Sequence, residues 1–386
     1  MSVPSERARH LVLLGAGHAH AGVLRDFGLN PSADVRLTLI SRRRLTPYSG
    51  MLPGLIAGIY QHREAHIDTV TLSRFAGAEL IVDEATGIDP VAKRVLFSNR
   101  PPLPYDILSI DIGATPSALG IPGVAEHAIP VKPIDGFLYR FESARTDILS
   151  RDGRAHIGVV GAGAGGVELL LAMQTRLEHD VMSAGYDTSG LHFTLIDAND
   201  TILPTFPKKM QRRFSDILRA RQVTVLTGGK VTSVAADAVH VERHGRVPLD
   251  QVFWTTEATP APWLRDTGLA VDADGFIRVT PSLQSISHPN VFAAGDVANI
   301  DGHPTPRSGV YAVRAAVPLA ANLRRIAKDA PLIAFTPQRD ALYLISTGER
   351  YAIGTRNGFT FGGTWVWWLK DWIDRRFMAQ YHDLPE

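Results

Sequence analysis

Two stretches of the chain carry one hydrophobic signature. LVLLGAGHAH, Leu11 to His20, and IGVVGAGAGG, Ile157 to Gly166, are each an apolar run of strand length, rich in β-branched residues or Leu, that breaks into glycines. The segment after each run is helix-like: AGVLRDFG after the first and VELLLAMQTRLEHD after the second. Strand, tight turn, helix is the order of a dinucleotide-binding unit, so the pattern predicts an α/β chain built for two nucleotides.

A second strand comes after each helix. The first is VRLTLIS, ending at Ser41; the second is LHFTLID, ending at Asp197 after a polar stretch around Ser183 to Gly190 that reads as a loop insertion. Short strand signals at Val95 to Phe97, Val223 to Leu226 and from Val239 predict a crossing β-meander. Proline-rich punctuation at Gly113 to Pro133 and at Thr255 to Pro262 marks a crossing and a return. The expected architecture is therefore α/β with two Rossmann-like domains, one inserted in the other: 1–130 with 258–325, and 131–257 between them. A small C-terminal α+β unit, 326–386, begins with ALYLIST and RYAIGT and ends in an aromatic helix.

Composition narrows the chemistry. A chain of 386 residues suggests roughly two or three domains. Lys+Arg 40 against Asp+Glu 39 leaves a net charge of +1, so nothing global attracts nucleic acid or anionic lipid, and any membrane contact must be local. There is no cysteine, which excludes structural disulfides, thiolate metal sites, thiol nucleophiles and redox-active dithiols. The first ten residues lack an apolar signal core and no stretch approaches the ~20 mostly apolar residues that span a bilayer. The expected location is cytoplasmic, with peripheral attachment to the inner face of the cell membrane open.

A pyrophosphate must approach main-chain N–H groups at a helix N-terminus, and a Cβ there would hold it away. Gly161, Gly163 and Gly166 complete GxGxxG at the second turn, and Asp197 at the strand end can accept from an adenosine ribose while repelling a 2′-phosphate, favouring NADH over NADPH. At the first turn Gly15, Ala16 and Gly17 are followed by His20 in the third position, and the strand ends in Ser41 rather than an acid. Helix and strand are expected to pack slightly further apart there. VFAAGDVA, Val291 to Ala298, ends a strand in Gly295 and Asp296, and places that carboxylate at a helix start, facing a polyhydroxylated chain or serving as a plain N-cap.

GAGHAH near the start, YDILSIDIGATP at Tyr105 to Pro116, GAGAGGVE and VFAAGDVA together resemble the two-dinucleotide-binding flavoprotein superfamily over about residues 10 to 325. That resemblance implies an order FAD, NADH, FAD. By it Gly15, Ala16, Gly17, His18 and Gly113 would hold FAD, Ser41 and Arg42 would lie near its adenosine, and Gly295 and Asp296 near its ribitol. Gly161, Gly163, Gly166 and Asp197 would hold NADH, with Glu168 near the nicotinamide. More narrowly, TPYSGMLPGLIAGIY (Thr46 to Tyr60), VKP (Val131 to Pro133), PRSGVYAVRAA (Pro306 to Ala316) and WVWWLKDWIDRRFM (Trp365 to Met378) resemble type II NADH dehydrogenases and the flavoprotein module fused to selenide-water dikinases. The implied activity is hydride transfer from NADH to FAD and electron transfer on to a quinone, without the cysteines of the family's disulfide reductases. Type II dehydrogenases carry a Gln-rich stretch where this chain reads GVYAVRAA, which leaves open a soluble acceptor, or a non-catalytic flavoprotein that senses redox state or binds a partner.

The resemblance places Pro47, Tyr48 and Met51 in the loop covering the flavin ring. Tyr48 either stacks on the flavin or fills core. Lys132 pairs with a flavin edge or a carboxylate, or is a solvated crossover lysine. With Glu168, these are the candidate catalytic residues. His18 and His20 pack or donate to FAD, and no metal site is read. A helix from Thr364 would align Trp365, Trp368, Leu369, Trp372, Ile373 and Phe377 as one apolar stripe, with Lys370, Asp371, Asp374 and Arg375 elsewhere. That stripe is expected to meet either a membrane surface or protein, in its own domain or across a homodimer.

Overall fold

The computed structural model describes residues 8–116, 120–256, 258–338 and 340–385. The N-terminal segment 1–7, part of the crossing after Gly113, and Glu257 at the expected domain boundary lie outside those residues. The elements that position the site are β1 (Arg9–Leu14), α1 (His18–Leu29), β2 (Val35–Ser41), β3 (Ile107–Ile110), β4 (Ala155–Val160), α2 (Ala164–Ser183), β5 (Leu191–Ile196), β6 (Gln251–Trp254), α3 (Gly309–Ala327) and α4 (Thr364–His382).

Two five-stranded parallel sheets carry the repeat. In the first the order is Val291–Ala293, β3, β1, β2, Glu79–Val82; in the second it is Ala128–Pro130, β6, β4, β5, Thr224–Leu226. The registers run in step, with Leu14 opposite Ile40 at the end of β1 and Val160 opposite Ile196 at the end of β4. Each sheet reverses its winding beside its first strand, the topology that in open α/β sheets leaves a crevice at the carboxyl ends of the strands. Both are covered on two faces, so β1 is a continuous buried run: Leu11, Val12 and Leu13 are fully buried. Helix α1 lays Ala19, Val23, Leu24 and Phe27 into the same core as Ala315, Leu319 and Leu323 of α3, and Gly22 lets Ala316 approach closer than a Cβ would allow.

Three-stranded antiparallel sheets cross beside each half, Ala85–Asp89 with Arg94–Phe97 and Leu103–Pro104, and Val231–Ala235 with Ala238–Val241 and Gly245–Pro248. The expected meander strand at Val223 to Leu226 is instead the edge of the second parallel sheet, pairing with β5. Its alternation is indistinguishable from a meander strand until its partner is known.

The chain ends in an antiparallel sheet, Tyr343–Ser346, Ala352–Arg356 and Phe359–Gly363, followed by α4. The stripe expected on α4 is split. Phe377 turns inward with Val366, Trp367, Met378 and Tyr381, and Phe377, Met378 and Tyr381 join the core of the first sheet. Trp365, Trp368 and Trp372 face out at 58%, 55% and 55% exposure, while Lys370 and Asp374, expected off the stripe, lie on the inward side with side chains 12% and 6% exposed. Apolar residues lie on both the inward and the outward side of this helix, with the Lys370–Asp374 ion pair among the inward ones, so periodicity alone could not choose the inward face. Among the described residues no helix is long and apolar enough to cross a membrane.

Candidate functional site

The first glycine turn sits on the end of β1. Gly15 has φ +94° and donates its N–H to the Ile40 carbonyl at 2.8 Å, and Gly17 is the extended residue from which α1 starts. Asp111, the residue after β3, fills the floor of this cradle. Its Oδ2 accepts from the Ala19 N–H at 2.9 Å and the His20 N–H at 3.0 Å, and a Cβ at Gly17 or at Gly295 would collide with its carboxylate. Burial pushes the Asp111 acid up to about 7; Asp296 adds to the shift and the two N–H bonds oppose it.

His20 replaces the third glycine and is fully buried. Its Nδ1 lies 2.6 Å from the Gly15 carbonyl oxygen, which can only accept, so Nδ1 carries the proton and Nε2 accepts from the Ser109 hydroxyl at 2.8 Å. Burial lowers its pKa to about 4, consistent with that neutral tautomer. The imidazole thus pins turn to β3 where a glycine would let helix and turn touch.

The second turn shows the glycine version. Gly161 has φ +108°, Gly163 begins α2 with open space above it, and a Cβ at Gly166 would run into the Gly161 carbonyl. Thr255, after β6, stands where Asp111 stands in the first half: each donates its N–H to the last carbonyl of the central strand, Asp111 to Leu14 and Thr255 to Val160. The Thr255 hydroxyl lies 2.9 Å from both the Val160 and the Gly161 carbonyls. Asp197 is buried beside the turn; its carboxylate accepts from the Ala162 N–H and, at 2.8 and 2.7 Å, from the N–H and side chain of Asn199. Both turns fit a dinucleotide in shape, since side-chain carbon has no room or is absent in each cradle; a carboxylate already sits on turn N–H groups in both, Asp111 on those of Ala19 and His20 and Asp197 on that of Ala162.

The sequence-identified groups around the first cradle fall into two clusters. In one, Lys132 reaches Asp296 at 2.5 Å, so the crossover lysine pairs with a carboxylate. His18 lies near both: burial takes its pKa down to about 4, with Asp296 opposing and Lys132 reinforcing the shift. Its Nε2 accepts a long bond from the Ser49 N–H at 3.4 Å. In the other, Tyr48 packs against Phe377 of α4, ring centroids 4.4 Å apart, and against the edge of His18 at 5.4 Å. Burial, and then Asp374, push the Tyr48 phenol up, and its hydroxyl bonds Asp374.

Lys370 of α4 donates to Asp374 at 2.8 Å and to the Gly50 carbonyl at 2.7 Å. Its charge also acts on Glu168 of α2, whose Oε1 accepts from the N–H and hydroxyl of Ser346, each at 2.8 Å. Burial raises the pKa of Glu168 and of Asp374. One buried ammonium facing two buried carboxylates leaves the cluster disposed to hold an extra proton.

Other expected residues stand further from these groups. Ser41 donates to the Arg43 carbonyl at 2.7 Å, exposed Arg42 lies 3.5 Å from Glu84, half-buried Pro47 pairs with His66 across a short two-stranded ladder, and Gly113 has φ +73° with open space beside it. GVYAVRAA forms the first turns of α3, with Tyr311, Ala312, Ala315 and Ala316 buried. Sequence reasoning missed Asp111, Lys370 and Asp374. The signals were present: a lone acid closing the apolar strand ILSI, and a Lys-Asp pair spaced i, i+4 within an aromatic helix.

The family model for pyridine nucleotide-disulphide oxidoreductases matches residues 9–317. The NADH dehydrogenase-like protein YutJ of Bacillus subtilis is 26% identical over 302 residues, 77% of this chain and 79% of that protein. The type II NADH:quinone oxidoreductase Ndh of Mycobacterium tuberculosis is 27% identical over 326 residues, 78% of this chain and 70% of that one. The fold is that of NDH2 from Plasmodium falciparum (TM-score 0.78, 16% identity, covering 98% of this chain and 99% of the other) and of the sulfide:quinone oxidoreductase of Aquifex aeolicus (TM-score 0.79, 20% identity, covering 97% and 92%).

Proposed function

The chain belongs to the pyridine nucleotide-disulphide oxidoreductase family, and on that premise we propose that it is an FAD-dependent NADH oxidoreductase passing electrons to a quinone. The observation that carries this reading is the duplicated glycine turn with the Glu168, Lys370, Asp374 and Tyr48 cluster between its halves. Residues 1–130 with 258–325 are read as the FAD domain, 131–257 as the NADH domain and 326–386 as a unit for membrane association or dimerisation.

Gly15, Ala16, Gly17, His18, Gly113, Gly295 and Asp296 would hold FAD, with Ser41 and Arg42 toward its adenosine and Pro47 and Tyr48 over its ring. Gly161, Gly163, Gly166 and Asp197 would hold NADH in preference to NADPH, because a buried carboxylate repels a 2′-phosphate. Bound FAD would supply the ring that accepts hydride and passes electrons on. With no cysteine in the chain, electrons have no dithiol to visit. Lys132 neutralises Asp296. Lys370 holds protons at Nζ, and burial favours a proton on the Glu168 carboxyl at Oε2, the oxygen that does not accept from Ser346, where an acceptor that takes up protons with its electrons can draw on them. Outward Trp365, Trp368 and Trp372 suit contact with the inner membrane face, where a lipid-soluble quinone resides.

A soluble acceptor is the second reading, favoured by one observation: GVYAVRAA brings buried Tyr and Ala, and no Gln, to the start of α3. An anaerobic experiment separates the two. NADH should bleach the flavin band, and a short-chain quinone should restore it. Bleaching without recovery would move the acceptor to the soluble class; no bleaching would remove NADH as donor and leave a sensing or partner-binding flavoprotein.

A further inference from the structure

The two halves differ at the position that follows the strand beside each glycine turn. After β6 the residue beside the glycine turn is Thr255, a neutral hydroxyl; after β3 it is Asp111, a carboxylic acid. Asp111 is 3% exposed and bonded to the first free N–H groups of α1, the groups a helix offers to an anion. Gly17 and Gly295 both crowd against its carboxylate, and Gly15 against its carbonyl, so the acid lies inside the cradle rather than at its rim. The groups facing it are few. From α1 comes His20, neutral and committed to Gly15 and Ser109. From the segment after Val291–Ala293 comes Asp296, a second anion, held by Lys132 and near His18. No cation pairs directly with Asp111 among the described residues.

Resting on the reading of the first cradle as the FAD site, we propose that Asp111 makes cofactor binding proton-linked: it is a neutral acid whenever the dinucleotide diphosphate occupies the cradle. An ionised Asp111 would set a third anion beside Asp296 and the diphosphate in a place from which water is excluded, whereas the protonated form keeps one oxygen on the α1 N–H groups and leaves an O–H to donate. Free Asp111, with burial holding its pKa near 7, is largely ionised at pH 8, so binding there takes up a proton from solvent. By linkage, the FAD dissociation constant is flat below about pH 7 and rises about tenfold per pH unit above it. At the matching position of the second cradle Thr255 is a hydroxyl and does not titrate.

The test is FAD binding to the flavin-depleted full chain, read by quenching of flavin fluorescence from pH 6 to 9, with Asp111→Asn beside the native protein. Asn keeps the shape and the acceptor for the α1 N–H groups but cannot ionise. The expected result is the rising limb in the native chain and its absence in Asp111→Asn, which should bind about tenfold tighter than native at pH 8. A native curve flat to pH 9, or an Asp111→Asn chain of native thermal stability that binds more weakly at every pH, overturns the proposal and leaves Asp111 a helix cap. Should Asp111→Asn not fold, calorimetry of the native chain at pH 8.5 in two buffers of different ionisation enthalpy decides: uptake approaching one proton per FAD supports the linkage and zero refutes it. Failure of the native chain to bind FAD at any pH would overturn the flavoprotein reading itself, a different result from pH-independent binding.

Discussion

Glu168 accepts two hydrogen bonds from one residue, the N–H and the hydroxyl of Ser346, each at 2.8 Å and 178 residues away in the chain. This ties α2, just past the second glycine turn, to the C-terminal sheet, and it holds down a carboxyl whose pKa burial drives up. Ser346→Ala removes one bond to the charged form, so the Glu168 pKa must rise further. Any pH-dependent step that needs Glu168 ionised should move its midpoint to higher pH, with about 1 kcal/mol lost from stability. Stopped-flow flavin bleaching against pH, alongside a urea melt, reads both; an unmoved profile would show that Glu168 takes no part in that step.

Asp197→Ala should raise the NADH KM by roughly tenfold or more, the loss of one to two charge-assisted hydrogen bonds. The same carboxylate holds Ala162 and Asn199, so the variant must be checked by thermal melting. An unchanged KM in a folded variant would take Asp197 out of the nucleotide site.

Lys370→Met leaves Asp374 and Glu168 buried without their ammonium. Removing one partner of such a pair costs about 3–5 kcal/mol, and the paired change Lys370→Met with Asp374→Leu should recover much of it. Denaturant midpoints of the three variants give the coupling; additive losses would show that the pair contributes nothing jointly.

The exposed tryptophans lie outside the core, although the Trp368 ring packs on buried Trp367. Replacing Trp365, Trp368 and Trp372 by Gln should leave Tm near native, since surface changes cost within about 0.5 kcal/mol each, and should release the protein from liposomes if this face meets lipid. Deleting residues 364–386 is a poorer test, because Phe377, Met378 and Tyr381 leave the main core with it. Retained liposome binding, or a loss instead of a concentration-dependent dimer, would assign the face elsewhere.

His20 sets a pH limit on the apoprotein. Its folded pKa, about 4, lies below the usual 6.5, so the unfolded chain takes up the proton first as pH falls. The stability it contributes is whole above pH 6.5 and is lost between 6.5 and 4, at about 1.4 kcal/mol per unit. The native chain should therefore lose roughly 2–3 kcal/mol more than His20→Asn between pH 7 and 4.5, in urea melts at each pH. Equal losses would mean that His20 is not held neutral by burial.

What the sequence determined was what local rules determine. Apolar runs ending in glycines specify strand and turn, because only glycine permits the backbone of Gly15 and Gly161 and the contact of Gly166 with the Gly161 carbonyl. Their repetition specified two parallel sheets, and the absence of cysteine excluded a dithiol by chemistry alone. Tertiary structure decided whatever depends on which surface is covered. Thr224–Leu226 became a parallel edge strand because β5 was there to pair with it. Helix α4 turned Lys370, Asp374 and Phe377 inward and three tryptophans outward, because its partners, Tyr48 and the Gly50 carbonyl, lie some three hundred residues earlier in the chain. Asp111 reads in the sequence as the end of a strand; only folding sets its carboxylate under Gly17 and beside Asp296, and burial, which no neighbour in the sequence reveals, then governs its charge.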